Sequence, residues 1–418
     1  MALPDPIHRR NFVLHCMEGG IYMGGLAFVS AETVLPKLVQ SLGGPDWVIS
    51  LMPSLLLMFM FAPGIIASPL IERLPRLFPF VASFGVVQRL PYLIAALILY
   101  FGHDSLPHLI LWVVILTPII SGFSGGFAIP AWMEMVTRMI PEKRRASGWA
   151  FRFIIGSLLG ILAGFMVEQI LKTWPGAEGY GLLHGAAFAL LMLSFTIFLF
   201  LRETDYPEPV PHSKDWYGKQ IRIFGEIFSS RSAFRRMLMV RISGLGFLCV
   251  APFLSITALE VTNLPESTLG RFVTVQMLGG ITGNFLAGWL GDRFGGKAVL
   301  LTAKSLQLGL CTFLVVTSSY SGFMVAFFLF GMVFFMIQVG DQTLGIELAP
   351  RSRRAAFLAS LNFSYIPGSL IASFLAWFMH RQFDAFYPTA ISAAVMVALS
   401  LLLLSGIREP RSQIAQSD

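Results

Sequence analysis

The stretch Gly288-Trp-Leu-Gly-Asp-Arg-Phe-Gly-Gly-Lys297 separates two long apolar runs. It contains an acid, two bases and a Gly-Gly pair where one hydrophobic segment ends and the next begins. Charged side chains avoid hydrocarbon, and glycine permits the backbone angles of tight turns. The sequence therefore predicts a short loop at a membrane surface.

The composition supports a membrane environment for most of the chain. Apolar residues make up 55% of the sequence and charged residues 13%, whereas about 25% of residues are charged in soluble domains. Runs of about 20 apolar residues suit a helix that crosses a bilayer. Twelve such runs, here called spans 1 to 12, fall near residues 11–38, 47–71, 78–101, 108–138, 146–172, 181–201, 233–259, 268–291, 298–318, 322–348, 355–379 and 386–406. The sequence predicts an all-α membrane protein.

The spans form two sets of six around a polar segment. We predict an N-terminal six-helix bundle over residues 1–201, a linker over 202–232, and a C-terminal six-helix bundle with a short tail over 233–418. Apolar and aromatic residues recur at helical spacing between Trp216 and Phe228, which predicts an amphipathic helix in the linker.

The loops of the two halves resemble each other. Pro141-Glu-Lys-Arg-Arg-Ala146 follows span 4, and Pro350-Arg-Ser-Arg-Arg-Ala355 follows span 10. Most Lys and Arg residues lie in loops on one side of the predicted membrane, the side that also holds both termini and the linker. Because basic loops remain in the cytoplasm, we predict a multi-pass protein of the plasma or inner membrane with both termini cytoplasmic.

The opening stretch has the pattern Gly-x-Leu-x-Asp-Arg-x-Gly-x-Lys, which resembles the loop signature of the major facilitator superfamily (MFS). Members of this family are twelve-helix secondary transporters, and the resemblance extends from about residue 10 to 406. It implies alternating access at a site between two pseudo-symmetric halves. It also implies a gating role for Asp292, Arg293, Gly295 and Lys297. The first-half counterpart, Ser68-Pro-Leu-Ile-Glu-Arg-Leu-Pro-Arg76, has Glu for Asp and lacks both glycines.

Ionisable residues within spans are functional candidates, because a charge in hydrocarbon costs at least about 2.5–3.5 kcal/mol. The resemblance places spans 1, 4, 7 and 10 around the central cavity. We therefore predict a site for substrate and protons composed of Glu18, Tyr22, Glu32, Arg241, Gln338, Asp341 and Gln342. Structural or coupling ion pairs are predicted for Arg89, Glu134, Arg152 and Lys304.

Depth in the membrane suggests partners for these charges, at about 1.5 Å per helical residue. Glu18 is paired with Arg89 in this way, and Arg241 with Asp341. For Arg152 two alternatives stay open. It either approaches Asp292 when the cytoplasmic side closes, so that Asp292 acts as a latch, or it pairs with Glu134 in its own half.

Small residues at four-residue spacing form stripes that let helices approach closely. Span 5 has Gly156, Gly160 and Gly164, and span 8 has Gly279, Gly283, Ala287 and Gly291. A third stripe begins at Ser360 in span 11. By family analogy the stripes of spans 5 and 8 face each other across a sliding interface. Static packing is the alternative.

These features predict a monomeric, proton-coupled carrier of a small organic solute in a lipid bilayer. Uncoupled facilitated diffusion is one alternative, and a non-transporting receptor or lipid-handling protein on the same fold is another. No phosphate loop, metal-ligand cluster or catalytic constellation occurs in the sequence, so we expect no enzyme activity, cofactor or metal. The net charge of +7 resides in short loops and is not taken as a sign of nucleic-acid binding.

Overall fold

The computed structural model describes residues 6–63, 67, 71, 74–102, 107–203, 218, 222, 225, 229, 232–349, 358 and 361–407. Their secondary structure is helical, with short turns. The α-helices are α1 (Pro6–Ala27), α2 (Val34–Ser41), α3 (Asp46–Phe61), α4 (Phe78–Phe101), α5 (Pro107–Met139), α6 (Glu142–Thr173), α7 (Ala177–Phe198), α8 (Ser232–Gly244), α9 (Phe247–Thr262), α10 (Leu269–Phe294), α11 (Gly296–Val316), α12 (Tyr320–Leu348), α13 (Tyr365–Phe383) and α14 (Tyr387–Ser405). The loop Pro350–Ala355, the predicted linker helix around Trp216, the Glu72-Arg73 pair and Ser360 lie outside the described residues.

Nine helices of the described chain are long and apolar enough to cross a membrane. Span 7 is among them. It bends near its middle, where α8 ends at Gly244 and α9 begins at Phe247. Spans 1, 2 and 8 do not reach that criterion. Helix α1 carries several polar residues, α3 is described over only 16 residues, and α10 includes charged residues at both ends. The chain is an integral, multi-pass membrane protein.

The described helices group into two compact units. Unit 1 comprises Met1–Val48, Leu55–His212 and Pro265–Thr274. Within it, α1 packs on α6 and α7, and α4 packs on α5 and α7. Buried apolar side chains such as Leu77, Met135 and Phe198 form a core between α4, α5 and α7.

Unit 2 comprises Ile49–Ser54, Ser213–Leu264 and Val275–Asp418. Here α11 packs on α12 and α14, α8 packs on α14, and α9 packs on α13. In span numbers, unit 1 pairs 1 with 5, 1 with 6, 3 with 4 and 3 with 6. Unit 2 pairs 7 with 11, 7 with 12, 9 with 10 and 9 with 12. The helix pairing of the two halves is therefore the same, as their similar loops predict.

Glycines on one face of α1 bring it into close contact with α6. A Cβ atom on Gly20 would lie 2.5 Å from Cβ of Ile155, and one on Gly24 would lie 2.5 Å from Cβ of Leu159. In lipid, close packing of this kind stabilises helix pairs, because burial of apolar surface supplies little driving force there. The spacing of these glycines therefore determines how closely α1 approaches α6.

We expect Gly20→Ala to destabilise the protein by about 1–3 kcal/mol, because the added methyl group overpacks the contact with Ile155. Gly309→Ala is the matched control, since Gly309 lies on α11 with no atom within 4 Å of the added Cβ. That substitution should be neutral or stabilising by up to about 1 kcal/mol. Thermal unfolding of the two purified variants tests this. Equal melting temperatures would show that α1 does not depend on its glycines.

The glycines of spans 5 and 8 pack on helices of their own units, and Gly164 of span 5 also packs on the start of α10, where its added Cβ would lie 2.7 Å from Gly270 O. Gly279 and Gly283 pack on α12 of their own unit, where added Cβ atoms would lie 1.9 Å from Phe328 O and 2.2 Å from Met332 O. A Cβ on Gly156 would lie 2.8 Å from Met23 of α1. Glycines at four-residue spacing indicate that another helix packs closely on that face, but they do not identify which helix it is.

The predicted tight loop lies between α10 and α11. Gly295 has φ of +88°, a backbone conformation that glycine adopts without strain. A Cβ on Gly296 would lie 2.4 Å from the main-chain nitrogen of Leu344, so α12 passes directly over this turn. The Gly296 amide also donates to Glu347 at 3.2 Å. The Gly-Gly pair is thus required both by the turn and by the neighbouring helix.

Candidate functional site

A buried ion pair joins α1 to α6. Nη1 of Arg152 donates to Oε2 of Glu18 at 2.7 Å, and the second carboxylate oxygen accepts from Ser194 of α7 at 3.3 Å. Glu18 and Arg152 are 5% and 8% exposed. The predicted pairing of Glu18 with Arg89 is wrong, and so is the alternative pairing of Arg152 with Glu134. Glu18 is the described partner of Arg152.

The Arg152 guanidinium lies among aromatic rings. Its central carbon is 4.8 Å from the centre of the Trp132 ring and 5.6 Å from that of Trp149. It also requires a glycine on α1, because a Cβ on Gly19 would lie 1.8 Å from the same carbon. The two indole rings and the space left by Gly19 together hold the Arg152 guanidinium beside Glu18.

A cavity of about 260 Å³ lies within unit 1 next to this ion pair. Its volume is slightly below the roughly 300–1,000 Å³ of sites for drug-sized ligands. Glu18 and Arg152 line it, together with the predicted site residue Tyr22. Most of the remaining lining is apolar, with the indoles of Trp132 and Trp149 among it. An apolar cavity with a few polar groups has the character of a binding site for a small organic molecule.

Arg89 of α4 also lines the cavity, without a carboxylate partner in the described chain. Its Nε donates to Leu191 O at 2.7 Å, and its Nη1 donates to Gly85 O at 2.6 Å. Gln88 accepts from Nη1 at 3.4 Å and donates to the Tyr22 hydroxyl at 2.9 Å. The predicted ion pair for Arg89 is therefore replaced by bonds to neutral groups.

Unit 2 contains the predicted pair of Arg241 and Asp341. Nε of Arg241 lies 3.5 Å from Oδ2 of Asp341, and the two residues are 8% and 7% exposed. The guanidinium also lies 4.8 Å from the centre of the Tyr365 ring, and both terminal nitrogens are 3.5 Å from Oδ1 of Asn362. The prediction that these two charges meet is confirmed. Gln338 is partly buried one turn away, whereas Gln342 is exposed.

Lys304 is buried in unit 2, but its described bonds are not to an acid. Its Nζ donates to Gly244 O at 2.8 Å and to Oε1 of Gln307 at 3.2 Å. A Cβ on Gly244 would lie 2.5 Å from that nitrogen. The lysine therefore bonds to the end of α8 at the bend of span 7. It thereby stabilises the Gly244 carbonyl at the C-terminal end of α8.

Two further site candidates lie away from the cavity. Helix α1 ends at Ala27, so Glu32 lies in the turn before α2, where it accepts from Ser30 at 3.2 Å. Glu134 is exposed on α5 and pairs with Arg138 one turn later at 3.1 Å. Neither residue approaches the pair formed by Glu18 and Arg152.

The predicted gating residues lie at the turn between α10 and α11. Asp292 and Arg293 are exposed at the end of α10, and the Arg293 guanidinium lies 5.7 Å from the Phe294 ring. Lys297 approaches Ser405 O at 3.5 Å. These positions agree with a surface loop, and the gating role stays a prediction.

One important acid was missed in the sequence. Glu203, directly after span 6, is 9% exposed and accepts from the main-chain amides of Leu77 and Phe78 at the start of α4. It also accepts from Nη1 of Arg138 at 2.8 Å. A carboxylate at a helix N-terminus satisfies unpaired amides and the positive end of the helix dipole. Its position outside a span gave no signal of burial.

Comparison with protein families gives a partial match. A sequence model described as Major Facilitator Superfamily matches residues 236–417. A Na(+), Li(+), K(+)/H(+) antiporter of Planococcus maritimus is 27% identical over 201 residues, which are 46% of this chain and 42% of the antiporter. The human organic cation/carnitine transporter 2 is 29% identical over 108 residues, which are 26% of this chain and 19% of that protein. The chain thus aligns with less than half the length of each relative.

Comparison with solved structures covers nearly the whole chain. A POT family transporter, solved with a thioalcohol-conjugated peptide, superposes with a TM-score of 0.70 at 14% identity over 95% of both chains. A D-xylose-proton symporter gives 0.68 at 13% identity over 97% of this chain and 99% of the other. The E. coli fucose:proton symporter gives 0.64 at 15% identity over 96% and 99%. At such low identity these similarities establish the fold.

Proposed function

We propose that the chain is a member of the major facilitator superfamily, whose sequence model matches residues 236–417, and that it is a proton-coupled secondary transporter of a small organic solute that works by alternating access. The observation that carries this proposal is the Glu18–Arg152 pair beside an apolar cavity in unit 1. Such charges are costly within a membrane and are retained where they serve a function.

The chemistry of the pair suits proton coupling. A carboxylate beside an arginine stays charged, whereas one that loses its partner in a low-dielectric environment favours the neutral form. We therefore infer that Glu18 is the proton-carrying acid of unit 1 and that the conformational change separates it from Arg152. Asp341 has the same relation to Arg241 in unit 2. The fold similarity to two proton symporters and the partial match to a cation/proton antiporter support this mechanism.

The remaining predictions of topology and gating form part of the proposal. We propose bundles over residues 1–201 and 233–418, a cytoplasmic linker over 202–232, and cytoplasmic termini. Asp292, Arg293, Gly295 and Lys297 are proposed to form the gating loop, because they adjoin a turn that α12 holds in place. We propose that one chain suffices for transport, since each unit contains its own buried ion pair.

Proteoliposomes that contain a pH-sensitive dye test the proposal. A thermal-shift screen of sugars, amino acids, carboxylates and amphipathic drugs first selects solutes that stabilise the purified protein. Addition of a selected solute should then change the internal pH, and labelled solute should undergo counterflow. Vesicles without protein are the control for leakage. Counterflow without a pH change would indicate an uncoupled carrier. Stabilisation without counterflow would indicate a receptor, and either result would contradict the proposal.

A further inference from the structure

The cavity in unit 1 has an unbalanced charge. Two arginines line it, Arg89 and Arg152, but Glu18 is the one acid among its lining residues. Glu18 is already bound by Arg152 at 2.7 Å and by Ser194 at 3.3 Å. Within the described chain, no carboxylate oxygen lies within the 4.0 Å of an ion pair from Arg89. The cavity therefore carries one positive charge that is not neutralised by an acid in contact.

The unbalanced charge can reach a ligand. Nε and Nη1 of Arg89 donate to the carbonyls of Leu191 and Gly85, whereas Nη2 makes no bond to any residue that the structure describes. Arg89 lines the cavity, so this nitrogen is available to a ligand there. Arginine retains its charge, and its planar geometry suits a carboxylate.

A second donor lies beside Arg89. The Tyr22 hydroxyl accepts from Nε2 of Gln88 at 2.9 Å, which leaves its own hydrogen available for another acceptor. The Arg89 guanidinium carbon is 5.6 Å from the centre of the Tyr22 ring. Arg89 and Tyr22 both line the cavity and both bond to Gln88, so their two donors are placed to bind the two oxygens of one carboxylate.

The rest of the cavity is suited to an uncharged body. Trp132 and Trp149 present indole rings, and Leu26, Ile129 and Phe153 add apolar surface. A volume of about 260 Å³ limits that body to roughly the size of a single ring or a short chain. We propose that the substrate of this transporter is a small organic monoanion whose carboxylate binds Arg89 and Tyr22 and whose apolar part lies against the two tryptophans. That this anion is transported rests on the proposed function, whereas its binding at this site does not.

Calorimetric titration of the purified full-length protein with three matched probes tests this site. The probes are 3-phenylpropionate, its neutral amide, and 3-phenylpropylamine, which share one apolar body and differ in charge. Charge-assisted hydrogen bonds are about twice as strong as neutral ones, so the acid should bind about tenfold more tightly than the amide. The amine should bind most weakly. Equal affinities for acid and amide, tighter binding of the amine, or no binding of any probe would overturn the assignment.

Variants locate the charge that causes the preference. Arg89→Gln should weaken binding of the acid about tenfold and leave the amide nearly unchanged, which removes the preference. Arg381→Gln makes the same substitution at an exposed arginine of α13 and should retain wild-type affinities. Tyr22→Phe keeps the ring and tests the second donor if Arg89→Gln fails to fold. It should selectively weaken the acid. A preference for the acid that is undiminished in Arg89→Gln, or undiminished in Tyr22→Phe when that variant serves as the substitute, would overturn the assignment.

Transport and binding give separate answers. Proton-coupled counterflow of other solutes, with no affinity for 3-phenylpropionate, would contradict the proposed carboxylate site and leave the transport function intact. Binding of 3-phenylpropionate through Arg89 without counterflow would support the site and contradict the transport function. The two proposals therefore fail independently.

Discussion

Proteoliposomes that contain the Glu18→Gln variant are expected to lose uphill solute accumulation, down to the level of protein-free vesicles, while counterflow is partly retained. Glutamine has nearly the size of glutamate and still accepts a hydrogen bond from Arg152, but it cannot carry a proton across the membrane. Counterflow persists because exchange does not require the empty carrier to return with a proton. Accumulation driven by an imposed inward proton gradient is the measurement.

The loss of stability must be separated from the loss of coupling in this experiment. Glu18→Gln leaves Arg152 without its acid, and breaking a buried pair in this way costs about 3–5 kcal/mol. The double variant Glu18→Gln/Arg152→Gln removes both charges, so it should recover stability but not accumulation. Wild-type accumulation in the single variant would contradict proton transfer through Glu18. Asp341 would then be examined as Asp341→Asn, and Glu32 after it.

The second large effect is expected at the pair Arg241 and Asp341 in unit 2. Arg241→Gln or Asp341→Asn alone leaves one charge without its partner in a buried site, which should cost about 3–5 kcal/mol. The double neutral variant leaves neither charge and should therefore express and unfold more like the wild type. Size-exclusion chromatography of fluorescent fusions and thermal unfolding measure the difference.

Glu134→Gln is the matched control for that experiment. It makes the same kind of change at an acid whose side chain is 50% exposed and pairs within its own helix. Exposed pairs contribute about 0–1 kcal/mol, so the control should unfold nearly as the wild type does. If the two single variants and the double variant of unit 2 are equally stable, Arg241 and Asp341 are not energetically coupled in the membrane.

The fold could be predicted further than the site. Runs of apolar residues, basic loops and a repeated motif identified the membrane class, and the helix pairing of the two units agrees with the repeat. The loop around Gly295 and Gly296 was predictable because both positions require glycine. Gly295 has a positive φ, and α12 lies close to Gly296. Boundaries were less accurate at Glu32, because an apolar run gives no sign of where a helix ends and a turn begins.

The partner of a buried charge was predictable from the sequence only where depth in the membrane was sufficient to identify it. Depth in the membrane placed Arg241 level with Asp341, and they meet. The same reasoning failed for Glu18, because depth does not specify which face of a neighbouring helix carries the partner. Gly19 next to Glu18 was an available signal, since a residue without a side chain makes room for the guanidinium of Arg152. Sequence spacing alone does not show which long side chain occupies such a space.

The distance in sequence between Glu18 and Arg152 has a consequence for biosynthesis. The two residues are 134 positions apart, and a ribosome adds about 5–20 residues per second. Glu18 is therefore made roughly 7–27 seconds before its partner exists. Asn11 of α1 also exchanges two hydrogen bonds with the main chain of Arg202, at 2.8 and 3.1 Å, and these form later still because the two residues are 191 positions apart. The first helix of the chain cannot reach its final environment at the time of its synthesis, and it completes its assembly only after the sixth span has emerged.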